Sequence, residues 1–196
     1  MPAMTDGALQ SGAQSPLPLW RTLAGVMLDP GGTVRRGLGQ IGAVEALAIP
    51  ATAFSLFFLQ SGLDRVRGGT IDGTGVGLLA AAGLGLGTLG VALVALTAWG
   101  AVRALGGTIA MADALKTFAL CYAPMLVYTL LGIACNLAFG WNTALAFGVT
   151  GVLWALGPMT GAVREMLGGR LWPALALSTL CGLLILFGWS RLAVLA

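Results

Sequence analysis

The sequence predicts an all-α, polytopic membrane bundle of five transmembrane helices preceded by an N-terminal interfacial amphipathic helix. Three observations predict it. Of 196 residues, 58% are apolar and only 9% are charged, where a soluble domain carries roughly 25% charged residues. Mean hydropathy is +0.93. Five apolar runs are each long enough to cross a hydrocarbon layer about 30 Å thick, which takes about 20 helical residues.

Residues 1–18 (MPAMTDGALQSGAQSPLP) are rich in Gly, Ser, Pro and Ala without periodicity and read as a disordered tail. They lack the basic segment and apolar run of a cleavable signal peptide. Residues 19–40 read as an interfacial amphipathic segment. Leu19, Trp20, Leu23, Val26, Met27 and Leu28 share a helical stripe that Arg21, Thr22, Gly25 and Asp29 avoid. The stretch is too short to span, so Trp20 and Arg21 are expected at headgroup level. Pro30, Gly31 and Gly32 are expected to end it. Thr33 would then cap a short helix that brings Arg35 and Arg36 to the membrane surface. A second reading has this segment packing beneath the bundle as a lid.

The transmembrane domain occupies 41–196, with spans over about 41–63, 73–102, 116–139, 143–163 and 172–195. The three-residue link Gly140-Trp141-Asn142 forces spans three and four into an antiparallel hairpin. Seven basic residues (Arg21, Arg35, Arg36, Arg103, Lys116, Arg164, Arg170) fall on the N-terminal side of the layer and three (Arg65, Arg67, Arg191) on the other. That asymmetry predicts a cytoplasmic N-terminus and a periplasmic C-terminus in a bacterial inner membrane.

Ionisable groups inside spans are costly and mark pathways. Only Glu45 qualifies, one turn inside the first span, within reach of Arg35, Arg36 or the headgroups. With no carboxylate at mid-depth, a proton-coupled transporter is disfavoured. No histidine is present, which removes the commonest general base and zinc ligand. Cys121, Cys135 and Cys181 lack metal-ligand spacing and read as small buried hydrophobes. No catalytic, metal-binding or cofactor-binding residue is predicted, and no basic run marks nucleic-acid binding.

Glycines are the loudest local signal. Gly73/Gly77 and Gly83/Gly87 are small-xxx-small pairs that let helix backbones approach closely in lipid. They read either as packing within the chain or as a face for a second copy or another membrane protein. Pro124 and Pro158 are expected to kink their spans. Tyr122 and Tyr128 need partners for hydroxyls placed in hydrocarbon, and Thr97, Thr129, Thr143 and Ser178 are candidates. Thr108 is a candidate cap in the connector after the second span, where Asp113 and Lys116 lie three apart.

The order of features resembles bacterial members of the Yip family, the Rab-interacting-protein-related membrane proteins. The likeness rests on Pro30 before Arg35-Arg36, Leu105-Gly-Gly-Thr after the second span, Asp113-Ala-Leu-Lys, and the Tyr122-Ala-Pro124 step. It covers about Leu19 to Arg191. The resemblance implies five membrane helices, a cytoplasmic N-terminus and no catalytic residues. Eukaryotic members bind small GTPases and each other in vesicle trafficking, whereas bacterial relatives have no established activity. This sequence has neither a long acidic or Gln-rich cytoplasmic domain nor an Asp-Leu-Tyr-Gly-Pro step, so Rab binding is not carried over.

Two functions are therefore expected. One is a non-enzymatic membrane scaffold or interaction protein, partnered by the lipid bilayer and by a second copy or another membrane protein. The alternative is a small permease or channel component. It requires Tyr122, Tyr128, Asn136 and Thr97 to share one polar cavity.

Overall fold

Hydropathy this high leaves the backbone no water to bond with, so every span must satisfy its own amides as a helix. In the computed structural model, which describes residues 19–37 and 41–195, the chain does so throughout. The elements are α1 (Leu19–Leu28), α2 (Pro30–Gly37), α3 (Ala43–Arg67), α4 (Gly73–Gly85), a π segment (Leu86–Gly90), α5 (Val91–Ala104), α6 (Met111–Leu120), α7 (Ala123–Phe139), a second π segment (Ala144–Val149), α8 (Thr150–Met166) and α9 (Leu171–Leu195). They form five helices long and apolar enough to cross a membrane: Ala43–Arg67, Gly73–Ala104, Met111–Phe139, Ala144–Met166 and Leu171–Leu192. The second has 32 residues and is about 48 Å long at 1.5 Å per residue, so it exceeds the hydrocarbon layer and must tilt or project. The predicted disordered tail, 1–18, lies outside the described residues.

Several boundaries differ from expectation, each for a physical reason. Pro30, Gly31 and Gly32 begin α2 rather than end α1. Asp29 alone separates the two helices, and its Oδ1 accepts from Gly32 N at 2.9 Å. The cap is thus Asp29, not Thr33, whose hydroxyl donates to the Asp29 carbonyl at 2.8 Å. Proline fits a first helical turn, which has no use for its missing N–H. The expected reach of Glu45 to Arg35 or Arg36 involves side chains outside the described residues. Glu45 Oε2 accepts from Gly42 N at 3.1 Å, closing the first turn of α3. The third span starts at Met111, and Ala110 rather than Thr108 is its N-cap residue. Pro124 does not bend a continuous span. Helix α6 stops, Cys121 and Tyr122 form a turn, and Pro124 occupies the first turn of α7. Pro158, by contrast, lies inside α8, which runs through it without interruption.

Helix α3 is the axis of the bundle. Phe54, Phe57, Phe58, Phe118, Leu120, Met125 and Ile185 are all fully buried around it. On α4 and the adjoining π segment, a Cβ added at Gly83 would lie 2.4 Å from the Phe54 carbonyl oxygen, and one at Gly87 would lie 2.3 Å from that of Pro50. Both glycines are therefore spent inside the chain, on backbone contact between the first two spans.

The bundle has two distinct ends. At one, Pro30 rests on Gly161 and Gly31 faces Glu165, while Arg170 donates from Nη2 to the Leu105 carbonyl. This end gathers α1, α2 and the connectors 105–110 and 167–170. At the other, Arg67 bonds the loop between α7 and the second π segment, beside the end of α9.

The glycine contacts set a testable contrast. Gly83→Ala and Gly87→Ala each should destabilise the folded chain by about 1–3 kcal/mol, because the obstructing atoms are backbone and cannot rotate away. Gly77→Ala, where nothing lies within 4 Å of the added carbon, should be neutral or stabilising by up to about 1 kcal/mol through helix propensity. Reversible unfolding in mixed micelles separates the two outcomes.

Candidate functional site

The densest polar cluster lies at the end where α3 terminates, and its centre is a residue that hydropathy assigns to a connector. Helix α3 continues four residues past Leu63, which carries Asp64, Arg65 and Arg67 on helical backbone. The Asp64 carboxylate accepts three hydrogen bonds. Oδ1 takes one from Asn136 Nδ2 at 2.6 Å; Oδ2 takes those of Thr143 N at 2.9 Å and Ala144 N at 3.0 Å. Thr143 is the N-cap residue and Ala144 the first residue of the second π segment, which continues into α8. Asp64 thus caps that helix from another span, placing negative charge at the positive end of its dipole.

Three residues on, Arg67 does the converse. Its guanidinium donates from Nη2 to the Asn136 carbonyl at 2.5 Å and from Nη1 to the Trp141 carbonyl at 3.1 Å. These carbonyls lie in the last turn of α7 and just beyond it, where a cation meets the negative end of a helix. Gly140 takes a left-handed conformation there, with φ +69°, which lets the chain reverse in so few residues. One i, i+3 pair on α3 therefore holds both ends of the α7–α8 turn. Asn136, fully buried, joins the two halves: Nδ2 also donates to the Trp141 carbonyl at 3.0 Å and to Thr143 Oγ1 at 3.3 Å. Below it, buried Gln60 donates from Nε2 to the Thr129 carbonyl at 2.5 Å.

The residues singled out in the sequence fall elsewhere. Trp20 and Arg21 are exposed on α1, the guanidinium stacked 5.2 Å from the Trp20 ring centre, while Thr22 and Val26 turn inward. The side chains of Arg35 and Arg36 lie outside the described residues. Tyr122 is fully buried and packs 5.5 Å from the Phe54 ring, but its hydroxyl meets none of the threonines proposed for it. Thr97 and Thr129 instead bond carbonyls of their own helices, and the buried Ser178 hydroxyl has no partner among the described residues. Tyr128 stacks on Trp154. Fourteen positions along the third span separate Tyr122 from Asn136, roughly 20 Å of helical rise. The four residues required for a permease cavity therefore do not converge. Cys121 and Cys181 are buried and Cys135 partly so. Asp113 and Lys116 approach to 3.8 Å as a partly buried i, i+3 pair, worth on the order of 1 kcal/mol or less.

Asp64 left no mark in a hydropathy profile because it ends a run. The available signal was spacing: Gln60, Asp64 and Arg67 recur at four and three residues on one face of α3, opposite the polar Asn136 of span three.

Replacing Asp64 with Ala strands two backbone amides and loosens Asn136, so we expect a loss of about 3 kcal/mol in folding stability. Arg67→Met should cost less, about 1–2 kcal/mol, because the carbonyls it leaves lie nearer to water. The double variant should lose less than the sum, since both act on one turn. Equilibrium unfolding of the four proteins in the same micelles measures all three quantities.

Comparison with protein-family models, curated proteins and solved structures returns no match. The chain's own architecture identifies it as a multi-pass helical membrane protein.

Proposed function

We propose that the chain is a non-enzymatic scaffold or interaction protein of the bacterial inner membrane, of the Yip-family type, working through helix contacts with a second copy of itself. Its N-terminus faces the cytoplasm and its C-terminus the periplasm. The basic residues support that orientation. Arg103 and Arg164 end helices, and Arg170 lies in a connector, at the end that carries α1 and α2, whereas only Arg65, Arg67 and Arg191 mark the opposite end.

The observation that carries the reading is the outward face of α4. Gly83 and Gly87 are used against α3, but Gly73, Gly77 and Ala81 recur every four residues on the exposed side. A Cβ at Gly73 or Gly77 meets nothing within 4 Å. A bare backbone stripe facing lipid gives up dispersion contacts that a second helix would supply, and such stripes pair with their own copies. The filled middle of the bundle supports a structural role as well: where a conduit needs polar lining, Phe54, Phe57, Phe118 and Met125 interlock.

Subunit counting by single-molecule photobleaching in liposomes at high lipid dilution tests this. Wild type should be predominantly dimeric. Gly77→Ile should give monomers with unchanged folding stability, whereas Gly83→Ile should fail to fold. A monomeric wild type, or a Gly77→Ile variant that remains dimeric, would overturn the proposal.

A further inference from the structure

The fourth span carries an aromatic side chain at a depth where hydrocarbon gives it no polar partner. Trp154 lies ten residues from Ala144 at one end of that span and ten from Arg164 near the other, about 15 Å of helix either way. That is the centre of a layer about 30 Å thick, whereas Trp and Tyr ordinarily gather at its two surfaces. Trp154 nevertheless presents 59% of its surface outward. The half-buried Tyr128 of α7 stacks on it with ring centres 6.1 Å apart. Neither the Tyr128 hydroxyl nor the Trp154 indole N–H has a hydrogen-bond partner among the described residues. Pro158 has no N–H, so the Trp154 carbonyl also lacks its usual helical donor. Lipid tails satisfy none of these groups.

Beside Trp154 the surface is recessed. Gly157, three residues on, shares its face of α8, and a Cβ there would meet nothing within 4 Å. One turn further the same face is occupied, because Pro30 rests on Gly161. Gly157 is thus the bare floor of a recess, with Trp154 on one side and Pro30 closing the end nearer α2. We propose that this recess binds the ring of a membrane-dissolved quinone with a hydrocarbon tail. The ring would lie over Gly157 against the indole, with its carbonyl oxygens taking the Tyr128 hydroxyl and the Trp154 N–H. The tail would run along the exposed Leu153. The reduced, quinol form adds hydroxyls that can donate to the Trp154 carbonyl. Depth and chemistry select this class. A pure hydrocarbon leaves both donors unmet, and a charged lipid headgroup does not reach the midplane without a cost of several kcal/mol. An electron-poor flat ring also complements the electron-rich indole face. The recess is built from α2, α7 and α8, so the inference does not depend on pairing through α4.

The test is isothermal titration of the purified full-length chain in mild detergent, with the heat of empty micelles subtracted. The probes are decylbenzoquinone and decylbenzene, which share ring and tail and differ in the two carbonyl oxygens. Wild type should bind one decylbenzoquinone saturably and show no saturable binding of decylbenzene. Tyr128→Phe keeps the stacked ring and removes only the hydroxyl, and should weaken quinone binding about tenfold. Gly157→Leu, at a helical position with open space around it, should fold as wild type and abolish binding by filling the recess. It decides the matter if Tyr128→Phe does not fold. Equal binding of the two probes, no saturable quinone binding by wild type, or wild-type affinity in either folded variant would overturn the proposal. Loss of self-association in Gly157→Leu, without quinone binding by wild type, would assign the recess to a second copy and overturn it too.

Discussion

The contact between α3 and α4 governs the rest of this structure. Lipid tails are as apolar as leucine, so burying leucine against leucine contributes little to helix association in a membrane. What remains is dispersion, which falls steeply with distance, and therefore rewards backbones that touch. Gly83 against Phe54 and Gly87 against Pro50 give that touch over two helical turns. Pro50 has no N–H to donate, and the π segment Leu86–Gly90 passes directly over it. With α4 seated so closely, the large side chains of α3 are left to fill the space towards the other spans, and the phenylalanines at 54, 57 and 58 do so.

The same axial helix sets the second half of the bundle by electrostatics rather than by shape. Asp64 and Arg67 extend α3 beyond its greasy part and address the α7–α8 turn with opposite charges, each at the helix terminus of complementary sign. Helix ends in a membrane protein leave unpaired amides and carbonyls close to a medium that cannot satisfy them. Supplying partners from a neighbouring span both removes that penalty and fixes how the hairpin sits on α3. Gly148 shows the mechanical consequence: the Phe57 ring occupies the space where any side chain there would lie. A turn held in one register is what permits that fit.

The spans were legible because hydrocarbon imposes a length and a composition that few sequences meet by accident, and the five apolar runs correspond to five helices. Their ends were less so. At Asp64 to Arg67 and at Met111 to Leu115, polar or interrupted sequence reads as connector, yet the chain stays helical because partners from other spans and a first-turn Asp113 satisfy it. Pro124 misled in another way. A proline signals a kink within a span when read alone, but its fixed φ suits the start of a helix equally well, and only packing of Tyr122 against Phe54 decides where α6 stops. Of the candidate residues, the glycines could be recognised as close-approach positions, but not assigned between α3 and a second copy, since that depends on which face the tertiary fold covers.

Polar groups are distributed unevenly along the bundle, and this has a physical consequence. Towards the end held by Asp64, Asn136 bonds both Asp64 and Thr143, and buried Gln60 donates to the Thr129 carbonyl, although the Gln60 and Asn136 side-chain oxygens have no partner among the described residues. Deeper in, the Tyr122 and Ser178 hydroxyls have none among the described residues. An unmet hydroxyl in a low-dielectric interior costs about 1–3 kcal/mol, which the packing of its ring or small side chain must offset. Tyr122 meets that condition, since its ring fills the corner left where α6 turns into α7 and lies against Phe54. Polarity in this bundle therefore has two separate origins: packing geometry in the interior, and charge placed to complete helix ends at the surface. Only the second places charge beside open space, at the wall of the cavity next to Asp64, whereas the interior around Tyr122 is filled by its own ring and that of Phe54.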